Sequence, residues 1–271
     1  MEGQSTTGDV RHSRSTLAVE GITVRFGGLT ALDDVSFTAT AGEVVGIIGP
    51  NGAGKTTLFN VICGFVRPDE GRLRWEDQPL DGVRPQQLTR RGIARTLQGL
   101  GLFEGLTAVE NVMTGAQIHS RAGLVSAFLG LPRSDKDERA LRDQALAALD
   151  ELGVADVADR HPASLPYPVR KRVALARALV ARPRLLLLDE PAGGLGEDDM
   201  GELGELIGRL RGEEMAVVLV EHHMDLVMSV CDRVVVLDFG KRIAIGTPAE
   251  VQADQQVLDA YLGVEVDAAS R

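Results

Sequence analysis

The chain has 271 residues, with 29 Lys and Arg against 39 Asp and Glu, a formal net charge of −10. A content of 44% hydrophobic and 25% charged residues is an ordinary globular balance and excludes a mostly disordered or fibrous chain, while the acidic excess argues against a general nucleic-acid coat, which needs surplus Lys and Arg to displace counterions. The two cysteines, Cys63 and Cys231, are too few for a disulfide framework or a multi-cysteine metal site and fit a reducing compartment.

In chain order, residues 1–15 lack the apolar core of a secretory signal and read as a mobile polar arm. Thr16 to Phe26 alternates apolar and polar residues, as a strand does, and Gly27-Gly28 breaks it. Leu32 to Ala39 is a second alternating stretch. Val44 to Ile48 is a continuous apolar run ended by Gly49-Pro50, the pattern of a buried strand. Lys55 to Cys63 follows as a helix, which puts the intervening turn at the end of a parallel strand.

Gln86 to Gly92 and Asp137 to Leu152 read as helices, the latter with Leu141, Ala145, Leu149 and Leu152 on one face. Gly115 to Asp135 is irregular and reads as an insertion within a helical subdomain. Its charge-free run Ala122 to Pro132 is 11 residues, against about 20 for a bilayer-spanning helix. Arg170 to Ala181 is a further helix, and Leu185 to Asp189, Ala216 to Val220 and Arg233 to Leu237 are apolar strands. Asp238 to Lys241 forms a hairpin turn. Thr247-Pro248-Ala249-Glu250 combines an N-cap Thr, Pro at the first helical position and Glu at the third, predicting a final helix to about Leu262. Strands alternating with helices give an α/β fold with a helical insertion.

Gly49-Pro50-Asn51-Gly52-Ala53-Gly54-Lys55-Thr56 fits G-x-x-x-x-G-K-[ST]. Glycines let such a loop curl so that backbone N–H groups face phosphate oxygens, and the helix that follows adds its positive dipole end. Lys55 supplies a charge for the β and γ phosphates, and the Thr56 hydroxyl can ligate magnesium. Leu185 to Leu188 deliver Asp189 and Glu190 to the end of an apolar strand, at the rim where ligands of parallel sheets bind. Asp189 would organise magnesium through a water, and Glu190 would polarise the attacking water. The pair His222-His223 follows an apolar strand; with no Cys or carboxylate seen at ligand spacing, magnesium-ATP is the stronger reading than a metal centre.

These elements, with Gln98, Ser164 to Leu179 and His222, resemble the ATP-binding subunit of an ABC transporter over about Leu17 to Gly263. Arg25 to Leu32 (RFGGLTAL), Arg95 to Val112 (RTLQGLGLFEGLTAVENV), Val220 to Met228 (VEHHMDLVM) and the IAIGTPAEV and VLDAYLG runs between Ile243 and Gly263 are similar to the branched-chain amino acid importer branch. The insertion after Asn111-Val112 is similar to the longer of that importer's two ATPase subunits. The resemblance implies a P-loop NTPase core of ABC ATPase type over residues 16–263, with an antiparallel β subdomain, an inserted helical subdomain at about 96–180 and a short tail at 264–271. It implies Phe26 stacking on adenine, and residues 49–57 (Thr57 included) around the phosphates. Magnesium would be held at Thr56, Gln98 and Asp189, with Glu190, His222 and Gln98 catalytic. His223 reads as a surface residue. The implied partners are a second ATPase subunit, transmembrane permease subunits contacted through about Gln98 to Glu110 and, indirectly, a solute-binding protein. Nucleic acid is not among them. The implied place is the cytoplasmic face of the membrane.

The family signature Leu-Ser-Gly-Gly-Gln aligns on Leu165-Pro166-Tyr167-Pro168-Val169. In the family this segment caps the ATP bound by the opposing subunit, through a Ser hydroxyl and a glycine N–H. Proline has neither group, so two hydrogen bonds of roughly 1.5–3 kcal/mol each are lost. Pro168 suits the first position of a helix. Gly196 stands where relatives carry Asp or Asn. The losses are one-sided, because residues 49–56, Asp189, Glu190 and His222 are intact, and the expectation is an asymmetric heterodimer. Two alternatives stay open: a weakly hydrolysing regulatory subunit, and a soluble ABC ATPase without a transport role.

Overall fold

Uninterrupted aliphatic strands bury both faces, so they collect in the middle of the molecule and leave the alternating strands for the outside. The computed structural model describes residues 16–96, 100–116, 132–211 and 215–261. In chain order the strands are β1 (Thr16–Phe26), β2 (Leu29–Thr40), β3 (Val44–Ile48), β4 (Glu70–Trp75), β5 (Gln78–Pro79), β6 (Ile93–Arg95), β7 (Leu185–Asp189), β8 (Ala216–Val220), β9 (Arg233–Asp238) and β10 (Lys241–Gly246). The helices are α1 (Lys55–Ile62), α2 (Pro85–Leu88), α3 (Ala108–Ala116), α4 (Pro132–Glu151), α5 (Tyr167–Leu179), α6 (Glu197–Arg211), α7 (Met224–Val230) and α8 (Pro248–Ala253).

One sheet has the order β10-β9-β3-β8-β7-β6, parallel from β9 to β6 with β10 antiparallel at its edge. The other is antiparallel, β2-β1-β4-β5. Alternate side chains of the parallel sheet serve two cores. Val45, Ile47, Leu185, Leu187, Val218 and Val220 pack with Leu17 and Ile22 of β1, Val35 of β2, and Leu58, Phe59 and Ile62 of α1. Val44, Ile48, Leu186, Leu188, Val217 and Leu219 pack with Val109 of α3, Leu149 of α4, Ala176 of α5, Ile207 of α6 and Val227 of α7. Each fully buried Leu, Ile or Val contributes about 1.5–3 kcal/mol.

The strands at Val44–Ile48, Leu185–Asp189 and Ala216–Val220 fall where the sequence places them. β4, β5 and β6 carry no such signal, because β4 buries only Leu73 and Trp75 among charged residues and β6 is three residues long. The Gln86 to Gly92 helix is instead the four-residue α2 and a 3₁₀ turn, Thr89–Arg91, closed by Gly92 at φ 74°. α5 starts at Tyr167 rather than Arg170, because Pro166 sits extended at its N-cap and leads straight into the turn, so Pro168 is second in the helix and not first. The final helix is interrupted. α8 has the expected box, with Glu250 Oε2 accepting from Thr247 N–H at 2.7 Å, but Asp254 is extended and its carboxylate caps a second helical stretch, 255–261, by accepting from Gln256 N–H. The arm 1–15, the tail 264–271, Gln98 and residues 117–131 of the insertion lie outside the described residues.

Between β6 and β7 the chain leaves the sheet to build α3, α4 and α5. Gly115 lets α3 approach α5 closely, since a Cβ there would lie 2.1 Å from the carbonyl oxygen of Arg177. α6 is aligned with its dipole, with Glu197, Asp198 and Asp199 in the first turn and Arg209 and Arg211 in the last. Gly115→Ala is expected to lower stability by about 1–3 kcal/mol through backbone displacement, and Leu149→Ala by about 2–5 kcal/mol through a cavity, both measured by denaturant unfolding. Wild-type midpoints for both variants would contradict this packing.

Candidate functional site

β3 ends at Gly49, where the chain must turn beneath its neighbour. Gly49 has φ 149°, and a Cβ there would lie 2.1 Å from the Leu237 carbonyl oxygen, so no side chain fits. Gly54, at φ 101°, starts α1 with no side-chain cap and no acidic residue in the first turn, so those N–H groups face the loop without a protein anion. That is the arrangement of an anion seat. Ala53 is buried; its N–H donates to Pro50 O and its carbonyl accepts from Gly240 N–H, both at 3.1 Å, pinning the loop to the β9–β10 hairpin. Lys55 Nζ folds over the loop and donates to Gly49 O at 2.7 Å and Pro50 O at 2.9 Å. Burial lowers the pKa of Lys55, and the charge of Glu190 opposes that shift.

The register carries the acids to the same rim. Ile47 of β3 lies beside Val220 of β8, and Val220 beside Asp189 of β7. Asp189 N–H donates to Thr96 Oγ1 at 3.4 Å. Its carboxyl is raised above the ordinary range, first by burial and then by Glu190, with Arg95 opposing. Glu190 has φ 47°, a left-handed conformation unusual for a side-chain-bearing residue, and its N–H donates to Val220 O at 2.8 Å. His222 Nδ1 is 3.9 Å from Glu190 Oε1.

Glu221 is the functional group that sequence reasoning passed over. It is 0% exposed, and its carboxylate accepts from Ala192 N–H at 2.8 Å, His222 N–H at 2.6 Å and His223 N–H at 3.1 Å. Burial pushes its pKa up, but these backbone donors outweigh burial and hold it below the ordinary value. The signal was present: an acid directly after the aliphatic run Ala216 to Val220, as Asp189 follows Leu185 to Leu188. It also corrects the premise that no carboxylate stands at ligand spacing from the histidines. Glu221 Oε2 lies 3.4 Å from His222 Nδ1 and 3.1 Å from His223 Nδ1. That oxygen already accepts the two histidine N–H groups, so it closes a turn and has little capacity left for a cation.

Asn51, Gly52 and Thr56 are exposed and Thr57 is half-buried. Phe26 is 52% exposed, opposite Leu29 across the Gly27-Gly28 turn. Leu165 is buried and Val169 packs against the helical core. Tyr167 packs over Gly194, with Arg170 and Lys171 above its ring at 5.6 and 5.4 Å. A cavity of about 420 Å³ is lined by Tyr167, Pro168, Lys171, Asp189, Glu190 and Leu203, and by no residue of the 49–57 loop. Arg95 lies over the Phe65 ring at 4.1 Å, and Arg177 donates to Leu100 O at 2.8 Å.

A parallel strand, a side-chain-free phosphate cradle, a helix and an acid-tipped neighbouring strand define a P-loop nucleotide-binding α/β protein. Residues 32–193 match the family model of ABC transporters, and residues 241–267 match that of the branched-chain amino acid ATP-binding cassette transporter. The chain belongs to the ABC transporter ATP-binding family and is an ATPase of that type. It is 39% identical to the high-affinity branched-chain amino acid transport ATP-binding protein BraF of Pseudomonas aeruginosa, over 93% of this chain and 99% of that one. LivG of Escherichia coli, of the same description, is equally similar, and the lipopolysaccharide export ATP-binding protein LptB of Haemophilus influenzae is 32% identical over 92% of this chain. Among solved structures, the ADP conformation of the ATP-binding cassette MJ1267 aligns over 92% of this chain and 99% of its own with a TM-score of 0.79 and 32% identity.

Asp189 binds its proton more tightly in the folded chain than in the unfolded one, so stability conferred by its protonated form is lost as pH rises through the raised value. Asp189→Asn is therefore expected to raise the melting temperature of the nucleotide-free chain at neutral pH by a few degrees, with the gain disappearing below the ordinary carboxyl range. A variant that melts below wild type at neutral pH would refute this account of Asp189.

Proposed function

We propose that the chain is the ATP-binding and hydrolysing subunit of an importer for branched-chain amino acids or a related small polar solute, working on the cytoplasmic face of a membrane with separate permease subunits. The observation that supports hydrolysis most is the meeting of Glu190 and His222, 3.9 Å apart, on the rim shared with Lys55. The match at 241–267 and the identity to BraF and LivG support the solute class. Among the described residues no helix is long and apolar enough to cross a membrane, which fits a subunit held there by others.

In this reading the N–H groups at the start of α1 and Lys55 bind the β and γ phosphates, with Lys55 exchanging its two loop carbonyls for phosphate oxygens. Phe26 offers its exposed face to the base. Thr56 and Asp189 would hold magnesium. Hard oxygen donors suit that ion, and the proton affinity of Asp189 is raised first by burial and then by the charge of Glu190, a combination that a cation beside the carboxylate would offset. Held there, magnesium would supply positive charge against the negative charge of the phosphates. Glu190 orients and polarises the attacking water, and His222 contacts the γ-phosphate. Gln98 would complete the set.

We further infer a heterodimer. In an ABC dimer each ATP lies between one subunit's phosphate loop and the other's signature. Of residues 166–169, only Tyr167 and Val169 carry N–H groups, so the cap offered to the partner's ATP is poor, whereas Lys55, Asp189, Glu190 and His222 are all present on this chain. One observation favours a second reading, a regulatory subunit that hydrolyses little: that same proline-bearing turn.

In the assembled complex, Glu190→Gln is expected to abolish most ATP hydrolysis, roughly a hundredfold, while the equivalent change in the partner has only a small effect. Equal losses would refute the asymmetry, and an unaltered rate in Glu190→Gln would favour the regulatory reading. The isolated chain is expected to turn over slowly, and Pro166→Ser with Pro168→Gly to speed it several-fold; brisk hydrolysis by the unmodified chain alone would count against the poor cap. Binding of leucine, isoleucine or valine to the solute-binding protein that co-purifies with the complex tests the cargo.

A further inference from the structure

The peptide group joining Pro191 and Ala192 begins one residue after Glu190 and is gripped at both ends. Its carbonyl oxygen accepts from Lys171 Nζ at 2.5 Å, and its N–H donates to Glu221 Oε1 at 2.8 Å. A cation at the oxygen end and an anion at the N–H end is the orientation a peptide dipole favours, and hydrogen bonds to charged groups are about twice as strong as neutral ones. Both charges are removed from bulk water: Glu221 is fully buried and Lys171 half-buried. Burial lowers the pKa of Lys171, opposed by the charges of Glu221 and Glu190, so the three groups share one electrostatic neighbourhood.

The two grips come from different parts of the fold. Lys171 stands on the second turn of α5, whose first turn carries Tyr167 and Pro168. Glu221 follows β8, and its other oxygen accepts the N–H groups of His222 and His223. A single carboxylate therefore fastens the segment after Glu190 with one oxygen and the backbone of His222 with the other. Glu190 needs such restraint, because its φ of 47° is left-handed, a strained conformation for a residue with a side chain.

We propose that Lys171 and Glu221 are positioning residues that clamp the 191–192 peptide, and through it set Glu190 against His222 and couple α5 to hydrolysis at this chain's own site. The inference rests on the roles given above to Glu190 and His222.

The test uses the assembled complex in single turnover, with complex in excess over radiolabelled Mg-ATP, and a parallel titration with a fluorescent ATP analogue. Lys171→Met and Glu221→Gln are each expected to slow hydrolysis by about tenfold or more while leaving analogue affinity within about twofold. Lys171→Arg restores most of the rate, because it keeps the cation. The double variant Lys171→Met with Glu221→Gln is no slower than the slower single one, since both act on the same peptide. Wild-type rates in the single variants, losses that multiply in the double variant, or a rate loss matched by lost affinity would overturn the clamp. Should Glu221→Gln fail to fold, the Lys171→Met and Lys171→Arg pair decides alone: loss with recovery sustains it, and loss without recovery overturns it. A wild-type complex that binds and hydrolyses ATP beside unaffected variants overturns only this inference; a wild-type complex that does neither overturns the function proposed above together with it.

Discussion

Three carboxylates, Asp189, Glu190 and Glu221, are crowded at the carboxyl end of the parallel sheet, and the rest of the site is an answer to their charge. Glu221 is neutralised locally by backbone N–H donors, and it stays ionised although no water reaches it. Asp189 receives too little compensation and holds its proton more tightly than usual. The difference separates a carboxylate that has become part of the frame from one whose charge is left for a ligand to satisfy.

The same logic explains why the phosphate loop is held open for an anion. α1 carries neither a side-chain cap nor an acid at its start, and Lys55 spends its donors on the loop's own carbonyls. Among the described residues, those hydrogen bonds satisfy a partly buried ammonium with backbone carbonyls.

Sequence periodicity sufficed for the central strands, because a run such as Leu185 to Leu188 can only be buried on both sides, and for the loop at 49–56, because its glycines admit few conformations. It did not suffice for β4, where Leu73 and Trp75 alternate with charges, nor for the start of α5, where prolines at 166 and 168 disguise a helix that begins between them. At the site, Asp189, Glu190 and His222 were legible as polar residues at the ends of apolar strands. Glu221 was equally placed and was overlooked, because nothing in its neighbours along the chain reveals that one of its oxygens accepts from Ala192 N–H, 29 residues away.

The sequence by itself determined the class of chemistry, since a Gly-rich loop ending in Lys55-Thr56 and an apolar strand ending in two acids are local patterns whose meaning survives out of context. Only the tertiary structure decided which acid is a ligand in waiting and which is a clamp. Burial and backbone donors set that division, and both depend on strand register and loop contacts that bring residues 171, 190–192 and 221–223 to one place.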